Sequence, residues 1–292
     1  MPLDQSLIGH ETTLETSTIA VEQIRQFADA VGDANPLFHD QDAARAAGFP
    51  DVLAPPTFVT RLRAPFAAVG LDPEKMQVLH GEQEYTYQRP LHAGDSVTAR
   101  HRVATLRQSA RPGGMNIMTL EQLVDVAGEG QVGLGKATVI VRELAPDTPT
   151  SITAAKPQPE PAGERIPDLT KRVTQEQIDA YADVSGDHNP IHINPEAARA
   201  VGLDGTIAHG MLSMAFVAQL LTDWLATRPT PGGWVARLRV RFQGMTQPGD
   251  TLTCRGALGA RDGERQIVEV WIDNQRGERL TTGDADVVLP GR

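Results

Sequence analysis

Two stretches of this chain read as copies of each other, and that duplication limits the fold more than any other feature. The run from Ile24 ends in Gly32-Asp33-Ala34-Asn35-Pro36, and the run from Ile178 ends in Gly186-Asp187-His188-Asn189-Pro190. Asp33 and Asp187 stand 154 residues apart; Asp95 and Asp250, in Gly94-Asp95 and Gly249-Asp250, stand 155 apart. Two separated matches at nearly one offset mean a duplicated domain, because solenoid repeats recur every roughly 20–50 residues. The 292 residues give each copy about one domain's length, ~150 residues.

Between the copies the composition changes. Prolines fall at positions 146, 149, 157, 159, 161 and 167 with almost no large apolar residue among them. Such a run favours extended conformations and builds no core. The sequence therefore divides into a first half, 1–145, a proline-rich linker, 146–167, and a second half, 168–292.

Each half has the same coarse order: a short helix, the Gly-Asp-x-Asn-Pro turn, a longer helical segment, then strands in series. Met211 to Leu225 is apolar nearly all round, as expected of a helix wrapped by a sheet. Trp234 to Phe242 alternates, with Leu238, Val240 and Phe242 on one side and Arg237, Arg239 and Arg241 on the other, the pattern of a half-buried strand. Strand runs follow near 250–259, 265–273 and 278–289, with a hairpin at Asn274-Gln275-Arg276-Gly277; the first half matches with runs near 78–90, 94–107, 115–127 and 131–144. Its helical segment, Phe58 to Val69, is poorer, interrupted by Arg61, Arg63 and Pro65. One curved antiparallel sheet around one helix, made twice, is an α+β architecture.

Several function classes drop out. With 37 acidic residues against 27 basic ones the chain carries a net charge of −10, which repels a nucleic-acid backbone. No run approaches the ~18 apolar residues of a membrane span, and the N-terminal stretch lacks the basic start and apolar core of a signal peptide. One cysteine, Cys254, in a strand-like run, reads as a packed thiol. These features point to the cytoplasm, with no nucleic-acid or membrane partner. No G-x-S-x-G or G-x-G-x-x-G is present, which argues against a serine hydrolase and a dinucleotide fold.

Two polar clusters are candidates for chemistry. Asp187 and His192 lie five residues apart around a proline turn that can aim a carboxylate and an imidazole at one point. The alternative reading is that Asp187 and Asn189 only stabilise the turn. Ala208-His209-Gly210-Met211 opens the apolar helix, where free N–H groups favour a polarised oxygen, although a glycine can simply begin a helix. His188 and His192 have i, i+4 spacing, but Pro190 between them breaks a regular helix face, and no H-E-x-x-H or cysteine cluster occurs, so no metal is expected.

Gly186-Asp187-His188-Asn189-Pro190-Ile191-His192 followed by Ile207-Ala208-His209-Gly210-Met211 resembles the MaoC-type hydratase 2 motif of (R)-specific enoyl-CoA hydratases and 3-hydroxyacyl-thioester dehydratases. Ala54-Pro55-Pro56-Thr57-Phe58 and Leu79 to Tyr85 resemble the FAS1-like dehydratase domain. The resemblance implies a double hotdog, two sheets each wrapped round its own helix and packed as a pseudo-dimer. It implies His192 as general acid/base, Asp187 activating the same water, Asn189 holding that geometry, and the Gly210 backbone N–H polarising an acyl-CoA or acyl-carrier-protein thioester, with no cofactor. The first half departs from the motif. Phe38 stands where His192 would, His39 is one residue late, and Ala54-Pro55-Pro56 replaces Ala208-His209-Gly210, so one active site is expected, in the second half.

Two other readings remain. A hotdog thioesterase needs a carboxylate on or near the central helix; Met211 to Val217 has none, and Asp223 lies far down the helix. A non-catalytic acyl-binding partner subunit would not need an intact Asp187–His192 pair. Arg237, Arg239 and Arg241, with Arg89, Arg100 and Arg102, form either a phosphate-binding set or a solvated strand face, and the latter is preferred. A monomeric pseudo-dimer and a homodimer of double hotdogs are both open.

Overall fold

The computed structural model describes residues 3–72, 76–108, 115–143 and 159–290. In the first half, β1 (Glu11–Thr13) and β2 (Ser17–Thr18) lead to helices α1 (Val21–Val31) and α2 (Gln41–Ala46), then to strands β3 (Met76–Tyr87), β4 (Ser96–Gln108), β5 (Asn116–Val126) and β6 (Gly130–Glu143). The second half has β7 (Arg165–Arg172), α3 (Gln175–Ser185), α4 (Pro190–Ile193), α5 (Pro195–Ala200), α6 (Gly210–Ala226), β8 (Trp234–Phe242), β9 (Thr251–Asp262), β10 (Arg265–Asn274) and β11 (Arg279–Val288). The eight long strands fall where hydrophobic alternation placed them. The hairpin at Asn274–Gly277 closes with the Gly277 N–H donating to the Asn274 carbonyl at 2.9 Å, and Gly277 sits at φ +73°, a left-handed value that favours glycine.

The two antiparallel sheets are hydrogen-bonded to each other. The strand order is β1-β4-β5-β6-β3-β8-β11-β10-β9-β7, with β3 of the first half pairing β8 of the second, Glu84 opposite Arg239 and Tyr85 opposite Leu238. The alternation in β8 is thereby explained. Leu238 and Val240 are buried, while the arginines on the other face meet carboxylates: Arg239 reaches Glu82 at 2.8 Å, Arg241 reaches Glu82 at 3.2 Å, and Arg237 pairs with Asp284 and Glu84. Arg89, Arg100 and Arg102 likewise pair with Asp95, Asp125 and Glu121. The solvated-face reading fits these contacts, and the β8 arginines also tie one half to the other.

The halves differ in what their sheets wrap. The α6 helix is continuous, with Leu212, Phe216, Val217 and Leu221 fully buried against the second half's strands. The matching segment of the first half is two short 3-10 turns, Phe58–Leu62 and Phe66–Val69, broken at Arg63-Ala64-Pro65. The residue before a proline avoids the helical region and the proline carries no N–H, so a continuous helix cannot run through that point. The core nevertheless spans both halves. Phe27 of α1 packs 5.6 Å from Phe58 and 5.8 Å from Tyr181 of α3, in one buried cluster with Phe216 and Val240.

The proline-rich stretch is shorter than its composition implied. Residues 144–158 lie outside the described residues, but the segment expected to end the linker at 167 is already strand from Arg165. Ile166 is buried against Gly256, and Pro167 falls at the register shift between Ile166 and Leu169, where the ladder needs no N–H donor. Strands β1, β2 and β7 and helices α2 and α5 carried no expectation. Cys254 is fully buried in β9, where burial pushes its thiol up to about 12. Among the described residues no helix is long and apolar enough to cross a membrane.

The α6 core and the arginine face should respond very differently to truncation. Phe216→Ala, which opens a cavity beneath the sheet, is expected to cost about 3–5 kcal/mol in urea unfolding. Glu82→Gln, which removes solvent-screened pairs, is expected to cost less than about 1 kcal/mol.

Candidate active site

The Gly-Asp-x-Asn-Pro turn is built from local hydrogen bonds. Helix α3 starts at Thr174, whose Oγ1 accepts from the Gln177 N–H, and stops at Gly186, at φ +70°. Asp187 Oδ1 then accepts from the Asn189 N–H at 3.3 Å, and Asn189 Oδ1 accepts from the Ile191 N–H at 3.4 Å, capping α4, which begins with Pro190. The capping contact is what the structure shows for Asn189. His192 leaves the end of α4 into the interior and is 8% exposed. His188 points elsewhere, exposed and 3.1 Å from Asp183, so the i, i+4 histidines do not converge.

The segment before α6 is strapped onto this turn. The Ile207 N–H donates to the Ile191 carbonyl at 3.2 Å, Ala208 N–H to the Thr246 carbonyl at 2.8 Å, and Gln175 Nε2 to the His192 carbonyl at 2.9 Å. His192 Nδ1 lies 2.8 Å from the Ile207 carbonyl, which only accepts, so Nδ1 carries the proton and Nε2 presents a lone pair. His209 is fixed in the opposite sense. Its Nε2 donates to the Asp187 backbone carbonyl at 2.8 Å, and its ring lies against that of His192 with centroids 3.8 Å apart. Gly210 begins α6, where the first N–H groups have no partner within the helix. A Cβ on Gly210 would stand 3.2 Å from the Phe242 ring, tighter than ordinary packing.

Asp187, His192, Asn189 and Gly210 line one cavity of about 240 Å³. Its other wall comes from the first half, and one residue there carries the site's electrostatics. Arg63, from the break between the two 3-10 turns, places Nη1 2.7 Å from Asp187 Oδ2 and stacks on Phe66 at 4.3 Å. Burial works to raise the Asp187 carboxyl, but Arg63 above all, then His192 and His209, hold it down at about 2. Burial lowers His192, against the opposing pull of Asp187, and takes His209 down to about 3. The resting site is an anionic carboxylate beside two neutral imidazoles. Ligand-type atoms of Asp187, His192 and His209 fall within 4.8 Å of one another. Arg63 already neutralises the carboxylate, so the cluster's charge is balanced by the chain's own residues.

Sequence reasoning missed Arg63 and the tautomer-fixing contact of His209. The sequence carries only a weak signal for Arg63, one of two arginines that, with Pro65, interrupt the segment Phe58 to Val69.

Residues 6–131 match the FAS1-like, dehydratase domain region, and residues 157–278 match the MaoC like domain. The chain joins a FAS1-like dehydratase region to a MaoC-like domain. It is 35% identical over 174 residues to 3-hydroxyacyl-thioester dehydratase X of Mycobacterium tuberculosis, covering 58% of this chain and 54% of that protein. It is 40% identical over 155 residues to a UPF0336 protein of Saccharopolyspora erythraea, covering half of this chain and 96% of that one. A solved MaoC-like dehydratase superposes with a TM-score of 0.82 at 23% identity, covering 98% of this chain and 99% of the other. The layout is that of a double hotdog, with the second hotdog's helix intact and the first one's broken.

In the first half of this MaoC-like protein the equivalent turn is arranged otherwise. Phe38 is buried in the core, His39 Nε2 meets the Asp33 backbone carbonyl at 2.7 Å, and Asn35 caps the short turn Pro36–Phe38. Burial raises the Asp33 carboxyl to about 6, and the cation acting on it is Lys171 where Asp187 has Arg63.

The Arg63 contact sets the charge of Asp187 and gives a pH test. A carboxyl depressed in the folded state adds stability above its unfolded pKa, lost as pH falls through the folded value near 2. Arg63→Leu removes the largest opposing cause and leaves burial. The Asp187 carboxyl is then expected to titrate well above its present value, measured by carboxyl NMR, and the stability that its ionisation adds at neutral pH, with the loss of that stability on acidification, to shrink or reverse.

Proposed function

We propose that the protein hydrates trans-2-enoyl thioesters reversibly to (3R)-3-hydroxyacyl thioesters, with the chemistry in its second half. Dehydratase chemistry on acyl thioesters is what the family match supports. The observation that carries the finer reading is the pairing of two acceptors on one cavity wall, the ionised Asp187 carboxylate and the unprotonated Nε2 of His192. A water between them gives one hydrogen to each and turns an oxygen lone pair toward C3 of the substrate. As the O–C3 bond forms, the C2=C3 π pair moves onto the thioester oxygen. That charge is met by the Gly210 N–H at the start of α6, where the helix dipole also favours it. His192 takes the water's proton and returns it to C2 on the same face as the enolate collapses, which makes the addition syn.

In this reading Asn189 fixes the turn that aims both groups, and Arg63 keeps Asp187 anionic. The first half supplies a wall of the acyl cavity and no second reaction centre, because Phe38 replaces the base and Pro55-Pro56 replaces the helix start. The substrate is carried as a coenzyme A or acyl-carrier-protein thioester, and we place the reaction in the cytoplasm. A thioesterase reading finds no support in α6. Its carboxylate Asp223 lies 13 residues beyond Gly210, about 20 Å along the axis, and interacts with Lys171.

Hydration of crotonyl-CoA and longer enoyl-CoAs, followed by loss of the enoyl absorbance and chiral analysis of the product, tests the proposal. His192→Ala and Asp187→Asn are expected to lower kcat by about 10²–10⁴-fold while leaving the fold intact by circular dichroism. His39→Ala and Asp33→Asn should change it less than about tenfold. A folded His192→Ala protein with full activity would refute the mechanism.

The pH profile should follow the histidine. Burial disfavours the imidazolium of His192, so the neutral base persists to lower pH than an ordinary histidine allows. The acid limb of kcat/KM is expected below pH 6.5, the reference value of an exposed histidine. An acid limb above that value would mean that another group controls the rate.

A further inference from the structure

One row of residues crosses the whole sheet in register and changes character at the junction of the halves. From the first half it runs His101 on β4, Gln122 on β5, Gly135 on β6 and Tyr85 on β3. It continues into the second half through Leu238 on β8, Ala285 on β11, Val268 on β10 and Leu258 on β9. The apolar part packs in the core that holds α6. The polar part faces the space left by the broken helix, and His101, Gln122, Gly135 and Tyr85 all line the same cavity as Asp187 and His192.

A cavity meant only for hydrocarbon would carry the apolar row on both sides, since buried polar groups cost free energy unless paired. Most of the polar row is internally satisfied. Gln122 Nε2 donates to the Val59 and Leu62 carbonyls, and Tyr85 Oη meets Thr60 Oγ1 at 3.3 Å. His101 is not. Its Nε2 accepts from the Ala64 N–H at 3.3 Å, which puts the ring proton on Nδ1. That Nδ1 is buried and within ordinary hydrogen-bond distance of no partner among the described residues, on a side chain 8% exposed; the carbonyl that acts on the ring, Leu62, is already bonded by Gln122 Nε2 at 2.9 Å. His80 Nε2, on β3 in the same lining, is also buried and unpartnered. An unmade bond at a buried donor is a standing cost that a ligand oxygen can remove.

We propose that the acyl group taken by this site carries a hydrogen-bond-accepting oxygen beyond the 2,3-double bond, a hydroxyl or a carboxylate, received by His101 Nδ1–H. This rests on the hydratase reading of the same cavity and names its substrate class. Such a chain lays its reacting carbons between Asp187, His192 and Gly210, and its distal oxygen against the concave face of β4 and β3. Burial, which holds His101 down at about 4, keeps that donor a neutral imidazole.

Binding decides the question without requiring turnover. Isothermal titration compares saturated acyl-CoAs from butyryl to decanoyl with their terminally hydroxylated and terminally carboxylated counterparts. At one chain length or more the oxygenated probe is expected to bind at least about tenfold tighter than the plain chain. Tighter binding by the hydroxylated or the carboxylated series identifies which oxygen is used. In His101→Leu that preference should shrink toward one while affinity for the plain chain is kept; if the variant does not fold, the wild-type ratio alone decides. Plain chains binding as tightly as oxygenated ones at every length would overturn the proposal and leave the hydratase reading standing. Tighter binding of oxygenated probes without hydration of any enoyl-CoA would do the reverse.

Discussion

The pairing of β3 with β8 is the contact on which the rest of this molecule depends. It joins two curved sheets edge to edge, with Tyr85 opposite Leu238 and Glu84 opposite Arg239. Both concave faces then lie on one side, and the start of α6 looks across the junction toward the first half. A one-residue slip would move every buried side chain of β8 to solvent and bring its arginines into the core. Leu238 and Val240 on one face, and the carboxylates Glu82, Glu84 and Asp284 meeting arginines on the other, both oppose that slip.

Given that register, the broken helix becomes the source of the cavity. A sheet that wraps a continuous apolar helix has a filled interior, as around Phe216 and Leu212. The first half has lost that filling at Arg63-Ala64-Pro65, so its sheet is left lining a space shared with the second half's Asp187–His192 turn. The same break puts Arg63 where it can reach Asp187. A duplicated fold thus divides its labour through one local change. One copy keeps the helix start and the Asp–His pair, and the other gives up its helix and contributes the wall and the compensating cation.

Much of this was legible in the sequence because it depends on local pattern. The duplication, the eight long strands and the apolar α6 follow from alternation and periodicity, and Asp187, His192, Asn189 and Gly210 from two short motifs. What the sequence withheld depends on distance. Arg63 and Asp187 are 124 residues apart, and nothing in either segment names the other. His209 fixes the turn through a backbone carbonyl 22 residues away. Strand β7 was hidden by the prolines around it, because composition cannot show that Ile166 has a place under β9. His101 and Gln122 read as ordinary alternation until the register of four strands put them in one row.

The charge balance looks different in this light. A net charge of −10 raises the question of how a phosphate-bearing carrier would be met, and the arginines of β8 are one candidate, although their spacing alone favours a solvated strand face. Each of them is already within ion-pairing distance of a carboxylate, most of them across the seam between halves or between neighbouring strands. Drawing Arg239 or Arg241 onto a phosphate would take from Glu82 one of its two partners across the seam. Their alternation therefore serves register first. Among the described residues, the arginine that lines the cavity is Arg63, whose charge keeps the buried Asp187 carboxylate ionised beside a neutral imidazole.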